Sequence, residues 1–168
     1  MTIKNNSLIK GTYFPPGDKS ISHRILILAS QAVGKSEISN LLEGEDVLNT
    51  LKAMRIFGAN ISKKNKKYVV FGVPPGGLFQ PNKPIDFGNS GTGIRLICGL
   101  IASNNIKAKL VGDGSLSKRP MKRVTVHLKK IGALINLKKD TYPPIKIQGD
   151  GEALPLKYNI MIPSAQIK

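Results

Sequence analysis

Cysteine is almost missing from this 168-residue chain, and a single Cys98 excludes any disulfide within it. Cys98 lies among Leu96, Ile97, Gly99 and Leu100 with no histidine nearby to activate a thiolate, so it reads as a small core residue. His23 and His127 stand far apart without CxxC or HxxxH company, and no metal-ligand set is legible. Long apolar runs are missing as well. Ile25 to Ala29 is short, and Ile94 to Ala102 is interrupted by Arg95 and Gly99, whereas crossing a bilayer takes about 20 apolar residues. The start, Met1-Thr2-Ile3-Lys4-Asn5-Asn6, has no apolar h-region and no small-residue cleavage site, so the reading is a soluble, cytoplasmic protein without a membrane partner.

Acidic residues are scarce: 10 Asp and Glu stand against 26 Lys and Arg, a net charge of +16. A balance this basic raises nucleic acid first. Aromatic residues are only 5% of the chain, however, and the lysines are scattered, so the stacking platforms of single-strand binders are missing and no nucleic-acid partner is expected. The clusters Lys63-Lys64-Asn65-Lys66-Lys67 and Leu137-Lys138-Lys139-Asp140 read as solvated turns. A positive field also steers small polyanions into a cleft, which suits phosphorylated substrates. A hydrophobic content of 40% is enough for the core of one ordinary domain.

What is present is repetition. Met54-Arg55-Ile56-Phe57-Gly58-Ala59-Asn60-Ile61 resembles Leu128-Lys129-Lys130-Ile131-Gly132-Ala133-Leu134-Ile135, 74 positions later. Each copy reads as helix, strand, helix and two strands. The first has helices over 22–32 and 45–57 and strands near 36–40, 60–62 and 68–71. The second has helices over 92–102 and 119–131 and strands near 107–111, 134–137 and 145–148. Val47, Leu48, Leu51, Met54 and Phe57 show the three- and four-residue spacing of a helix, with Gly58 as its stop. A third copy begins at Tyr158-Asn159-Ile160-Met161-Ile162 and stops at Ile167-Lys168, which suggests a piece of a longer protein.

The strand-to-helix corners carry the chemistry. They are Pro16-Gly17-Asp18-Lys19-Ser20-Ile21-Ser22-His23-Arg24, Gly88-Asn89-Ser90-Gly91-Thr92-Gly93-Ile94-Arg95 and Pro163-Ser164-Ala165-Gln166-Ile167-Lys168. Each puts hydroxyl or glycine residues at a helix start with a cation one turn in. Free N–H groups and the helix dipole make such corners anion sites, and Lys or Arg adds charge-assisted bonds. Taken singly, Ser20, Ser22, Thr92 and Ser164 are equally readable as ordinary N-caps. Three similar corners in repeated units favour the anion reading. Ser117-Lys118-Arg119-Pro120-Met121-Lys122-Arg123 adds a basic element, readable also as a solvated helix face. Neither GxxxxGK[ST] nor GxGxxG occurs. The residues alone thus reach a binder of small phosphorylated or carboxylated molecules, without naming a reaction.

Four of these motifs, Gly17 to Arg24, Gly88 to Thr92, Lys118 to Met121 and Pro163 to Gln166, resemble in order and spacing the signatures of the 3-phosphoshikimate 1-carboxyvinyltransferase family. The resemblance implies an α/β (α+β) fold of repeated βαβαββ units around a pseudo-threefold axis, in a monomeric two-domain enzyme with substrates bound between the domains. Residues 1–16 would be a strand of the other domain. Residues 17–168 would supply most of this one, with units at about 17–82 and 83–150 and the start of a third. The implied substrates are phosphoenolpyruvate and shikimate 3-phosphate, with no cofactor and no metal. Lys19, Ser20 and Arg24 would meet shikimate 3-phosphate, and Lys19 would reach phosphoenolpyruvate too and serve catalysis. Gly91 and Arg119 would bind phosphoenolpyruvate, Gly91 also meeting its competitive mimic glyphosate; Ser164 and Ala165 would bind shikimate 3-phosphate, and Gln166 both. Asn89, Thr92 and Arg95 would support them. Acid–base groups of the other domain are not in these residues, so turnover by them alone is not expected. The related transfer to UDP-N-acetylglucosamine is disfavoured because that family carries a cysteine in the loop matching Gly112 to Ser117, and this chain does not. A basic RNA-binding module is the alternative from another class.

Overall fold

The structure, a computed structural model, describes residues 10–159. The third corner, with Ser164, Ala165 and Gln166, lies outside the described residues. The first unit comprises α1 (Lys19–Gln31), β1 (Lys35–Ile38), α2 (Glu45–Ile56), β2 (Asn60–Lys64) and β3 (Lys67–Phe71). The second comprises β4 (Ile85–Asp86), α3 (Gly91–Ala102), β5 (Lys107–Val111), a 3-10 turn (Leu116–Lys118), α4 (Lys122–Lys130), β6 (Leu134–Lys138) and β7 (Tyr142–Gln148).

The first sheet has the order β1-β3-β2 with both pairings antiparallel, so that Ser36 and Ile61 flank Val70. The second has the order β4-β5-β7-β6. Its β5-β7 and β7-β6 pairings repeat the antiparallel pattern of the first sheet, and β4 adds a parallel edge. The repeat is visible in the backbone itself. Gly58 and Gly132, 74 positions apart, end α2 and α4 at φ of 102° and 107°. The hairpin turns Asn65-Lys66 and Lys139-Asp140, again 74 positions apart, take φ between 47° and 65°. Two successive left-handed residues make the tight turn whose twist matches that of the strands it joins.

The helices pack on one another and on the inner faces of both sheets. Alternation does this in the strands: Ala108 and Leu110 of β5, and Ile145 and Ile147 of β7, point inward while the lysines between them point out. α3 is buried almost all round, from Ile94, Ile97 and Cys98 to Leu100 and Ile101, because α1, α2, α4 and the second sheet all touch it. Full burial of side chains such as Phe57, Phe87 and Met54 contributes about 1.5–3 kcal/mol each. Cys98 is part of this core, and burial pushes its thiol up to about 12. Among the described residues no helix is long and apolar enough to cross a membrane.

Three sequence expectations need correction. First, α1 starts at Lys19 rather than Ser22, because Asp18 is the N-cap and its carboxylate accepts from the Ile21 amide at 2.6 Å. Second, α4 starts at Lys122 rather than Arg119. Proline disfavours helical angles in the residue before it, and Arg119, ahead of Pro120, is extended at φ −86°, ψ 130°. Third, the second copy opens on a strand ahead of its first helix, the two-residue β4, which is too short to show in a reading of helix, strand, helix and two strands.

Candidate anion-binding site

The first corner depends on a close approach. Gly17 passes so near the loop after β1 that a Cβ on it would overlap the Asn40 carbonyl and lie 2.7 Å from the Leu42 amide nitrogen. The same loop is tied down twice more: the Leu42 amide donates to Ser22 Oγ at 3.0 Å, and Asn40 Nδ2 donates to the Pro15 carbonyl at 3.2 Å. Ser22 is therefore neither a cap nor a ligand group but a buried brace. Lys19 emerges as the first residue of α1, and its Nζ pairs with Asp46 Oδ2 at 2.8 Å.

The second corner is more enclosed. Ser90, fully buried, is the N-cap of α3, and its Oγ accepts from the Gly93 amide at 3.2 Å. Thr92 thus sits inside the first turn and is no cap. Arg95, one turn further on, is only 6% exposed. It donates to the Gly91 carbonyl at 2.8 Å and the Pro120 carbonyl at 3.0 Å, tying the start of α3 to the segment before α4. Its Nε has no partner among the described residues. Burial first, and then the nearby Arg123 and Arg119 charges, push the Arg95 guanidinium below its usual range.

Arg119 reaches this corner because it lies in an extended segment held by two buried anchors, Leu116 before it and Met121 after it. The Met121 amide donates to the Thr141 carbonyl at 2.7 Å, which docks the segment on the second hairpin. The exposed guanidinium donates to Asn89 Oδ1 and, at 3.5 Å, to Ser115 Oγ. A Cβ on Gly91 would lie 2.9 Å from Arg119 Nη1 and 3.0 Å from Arg95 Nη1. Glycine here lets two guanidinium groups approach the first turn of a helix.

The corners meet in an open cleft of about 400 Å³. It is lined by Lys19 of α1, Asp46 of α2, Gly91, Thr92 and Arg95 of α3, and Arg119, Pro120 and Arg123 around the start of α4. Four cations face one carboxylate, beside the N-termini of α1 and α3, so the cleft is built to receive anions. The expected residues Lys19, Gly91, Thr92, Arg95 and Arg119 come together here, with Asn89 bracing Arg119. Ser20 and Arg24 do not line the cleft and lie exposed on α1. Asp46 and Arg123 were missed as site residues. Each belongs to the first turn of a helix, where a lone charge carries no sign of which way it faces.

Below the cleft, His23 is fully buried, and its Nδ1 lies 2.8 Å from Thr50 Oγ1 on α2. Burial lowers its pKa from the ordinary value, with Lys19 acting in the same sense and Asp46 in the opposite one.

An α/β fold that brings helix N-termini and guanidinium groups to one cleft defines a class, the binders of small phosphorylated or carboxylated molecules. The family model for EPSP synthase (3-phosphoshikimate 1-carboxyvinyltransferase) matches residues 3–168, and the chain belongs to that family. It is 50% identical over its whole length to the 3-phosphoshikimate 1-carboxyvinyltransferase of Ruegeria sp. (strain TM1040), and 46% identical to that of Parvibaculum lavamentivorans. Both alignments take in 38% of the relative, so the chain spans well under half the length of these proteins. A solved EPSP synthase from Acinetobacter baumannii superposes with a TM-score of 0.89 at 38% identity, over 94% of this chain and 36% of that one.

Proposed function

We propose that this chain supplies one side of the active site of a 3-phosphoshikimate 1-carboxyvinyltransferase. The enzyme moves the enolpyruvyl group of phosphoenolpyruvate to the 5-hydroxyl of shikimate 3-phosphate and releases phosphate. The observation that carries this reading is the convergence of Lys19, Gly91 and Arg119 on one cationic cleft, since these are the residues that the family resemblance assigns to phosphoenolpyruvate. In the reaction the 5-hydroxyl gives up its proton as its oxygen adds to C2 and the double bond takes a proton at C3; the tetrahedral intermediate then loses a C3 proton and expels phosphate, which restores the double bond. The contribution of these residues is electrostatic. Lys19 and Arg119 hold the carboxylate and phosphate charges, and the first-turn amides of α3 and the fixed cation of Arg95 supply a field that needs no rearrangement as charge develops. Ser20 and Arg24, on the exposed face of α1, together with Ser164, Ala165 and Gln166, take shikimate 3-phosphate. Residues 1–16 belong to the second domain, and residues 17–168 to the first. The complete enzyme works in the cytoplasm as a monomer and needs neither metal nor organic cofactor.

The test is phosphate release by the full-length protein, which must require both phosphoenolpyruvate and shikimate 3-phosphate. Turnover with UDP-N-acetylglucosamine in place of the latter would move the assignment to the sister reaction. One observation speaks for a basic nucleic-acid binder: Lys83, Lys107, Lys109 and Lys146 line a recess of about 390 Å³ on the outer side of the second sheet. Filter binding of RNA at physiological salt that outcompetes shikimate 3-phosphate would favour that alternative.

A further inference from the structure

Among the described residues Asp46 is the one carboxylate in a cleft that otherwise presents Lys19, Arg95, Arg119 and Arg123. A negative charge in the first turn of α2 is favoured by the helix dipole, and Glu45 beside it is acidic too. The dipole does not explain direction. The Asp46 carboxylate is turned onto the Lys19 ammonium at 2.8 Å, across 27 positions of sequence. Lys19 in turn has a reason to need it. As the first residue of α1, it places a positive charge at the positive end of a helix dipole, where a cation is disfavoured; the Asp18 cap is turned onto the Ile21 amide, and the carboxylate that meets the ammonium is that of Asp46.

We propose that Asp46 is a positioning residue that occupies the anion place at Lys19, aims the ammonium at the cleft, and is displaced from it by the phosphate or carboxylate of an entering ligand. The inference rests on the anion cleft described under the proposed function. The pair is made for exchange: its side chains are 52% and 27% exposed, so water screens their attraction and an incoming dianion competes on good terms. Arg95 shows the opposite design. Its two backbone acceptors hold it whether or not a ligand is present.

The experiment compares Asp46→Asn, Asp46→Glu, Lys19→Met and the double variant Lys19→Met/Asp46→Asn in the full-length protein. Inorganic phosphate affinity is read by calorimetry, and kcat and KM for phosphoenolpyruvate by phosphate release. Asp46→Asn is expected to bind phosphate about two- to fivefold more tightly, because Lys19 no longer has an internal anion to give up. Its kcat is expected to fall, because the ammonium has lost its direction. KM for phosphoenolpyruvate is expected to fall along with kcat, a pattern that simple loss of structure does not produce. The gain in phosphate affinity is expected to vanish in the Lys19→Met background, and Asp46→Glu to restore kcat and the original affinity. Unchanged or weaker phosphate binding in Asp46→Asn overturns the proposal. So does an equal gain with and without Lys19, which would be a general effect of net charge. Should Asp46→Asn fail to fold, Asp46→Glu decides: phosphate affinity or kcat far from that of the unsubstituted protein overturns it. The phosphate titration needs no turnover, so a protein that binds phosphate as expected but transfers no enolpyruvyl group defeats the proposed reaction and leaves the role of Asp46 standing.

Discussion

The two described helix corners use the same chemistry in different surroundings. At α1 the N-cap is the exposed Asp18, and Lys19, Ser20 and Arg24 face outward along with Ile21 and Leu28, 58% and 63% exposed. At α3 the N-cap Ser90 is buried, Gly91 is covered by two guanidinium groups, and the cation one turn in, Arg95, is pinned by backbone carbonyls of two segments. The difference follows from position. α3 lies in the middle of the helix layer with its own unit's Leu116 to Met121 segment folded over its start, whereas α1 has a packed side and an open side. The α3 corner is thus rigid before any ligand arrives, and the α1 corner offers charges that a ligand can rearrange.

The strongest test of that contrast removes one cation from each corner. In the full-length protein Arg119→Ala and Lys19→Ala are each expected to cut kcat/KM for phosphoenolpyruvate by about 10- to 100-fold, the size of a lost charge-assisted contact, with little change in thermal stability because both side chains are exposed. Near-normal kcat/KM in either variant would remove that residue from the site.

A smaller effect, this time on stability, separates the buried cation from the exposed ones. Arg95→Met keeps the stem and deletes the donors to the Gly91 and Pro120 carbonyls, and is expected to cost about 1–3 kcal/mol in denaturant unfolding. An unchanged midpoint would mean that the start of α3 is held by something else.

Gly91→Ala sharpens the comparison within the α3 corner. The backbone there has no positive φ, so the added methyl meets only the two guanidinium ends, at 2.9 and 3.0 Å. Arg119 can move aside; Arg95 is held. The site narrows, and glyphosate, longer than phosphoenolpyruvate, is expected to lose affinity by a several-fold larger factor than kcat/KM falls. Equal losses in inhibition and turnover measurements, or a collapse of stability, would make Gly91 a structural glycine only.

The smallest expected effect is a pH dependence beneath both corners. Because the pKa of His23 is lowered in the folded chain, the unfolded chain takes up the proton first. The full contribution of neutral His23 is present above its ordinary value of 6.5, and stability is lost as pH falls from there toward the lowered value. Melting temperatures measured between pH 7.5 and about pH 5 are expected to fall less steeply in His23→Gln than in the unsubstituted protein. Parallel curves would show that His23 carries none of the acid sensitivity.

Much of this was legible in the sequence. Periodicity and the Gly58 and Gly132 stops marked α2 and α4, and small residues beside cations marked the corners that hold Lys19, Gly91 and Arg119. The start of α4 was misread because the 74-residue repeat pointed to Arg119, while Pro120 acts on its own neighbour regardless of the repeat. The cap alternative named Ser20, Ser22 and Thr92, whereas Asp18 and Ser90 hold those places: all five are competent by type, and only the entry angle of the chain decides which of them meets the first free amides.

What the sequence determined by itself is whatever depends on local spacing: the α/β class, the repeat, the hairpin turns and the residue types at the helix starts. Tertiary structure alone decided which of those charges share a space. Lys19 and Asp46 are 27 positions apart, and Arg95 meets Pro120 across 25. Pairings at such distances follow from how helices pack on sheets, and packing is set by the whole core at once rather than by any segment of it. The same collective constraint buried Arg95 and left Arg119 exposed, giving two arginines of one cleft opposite work to do.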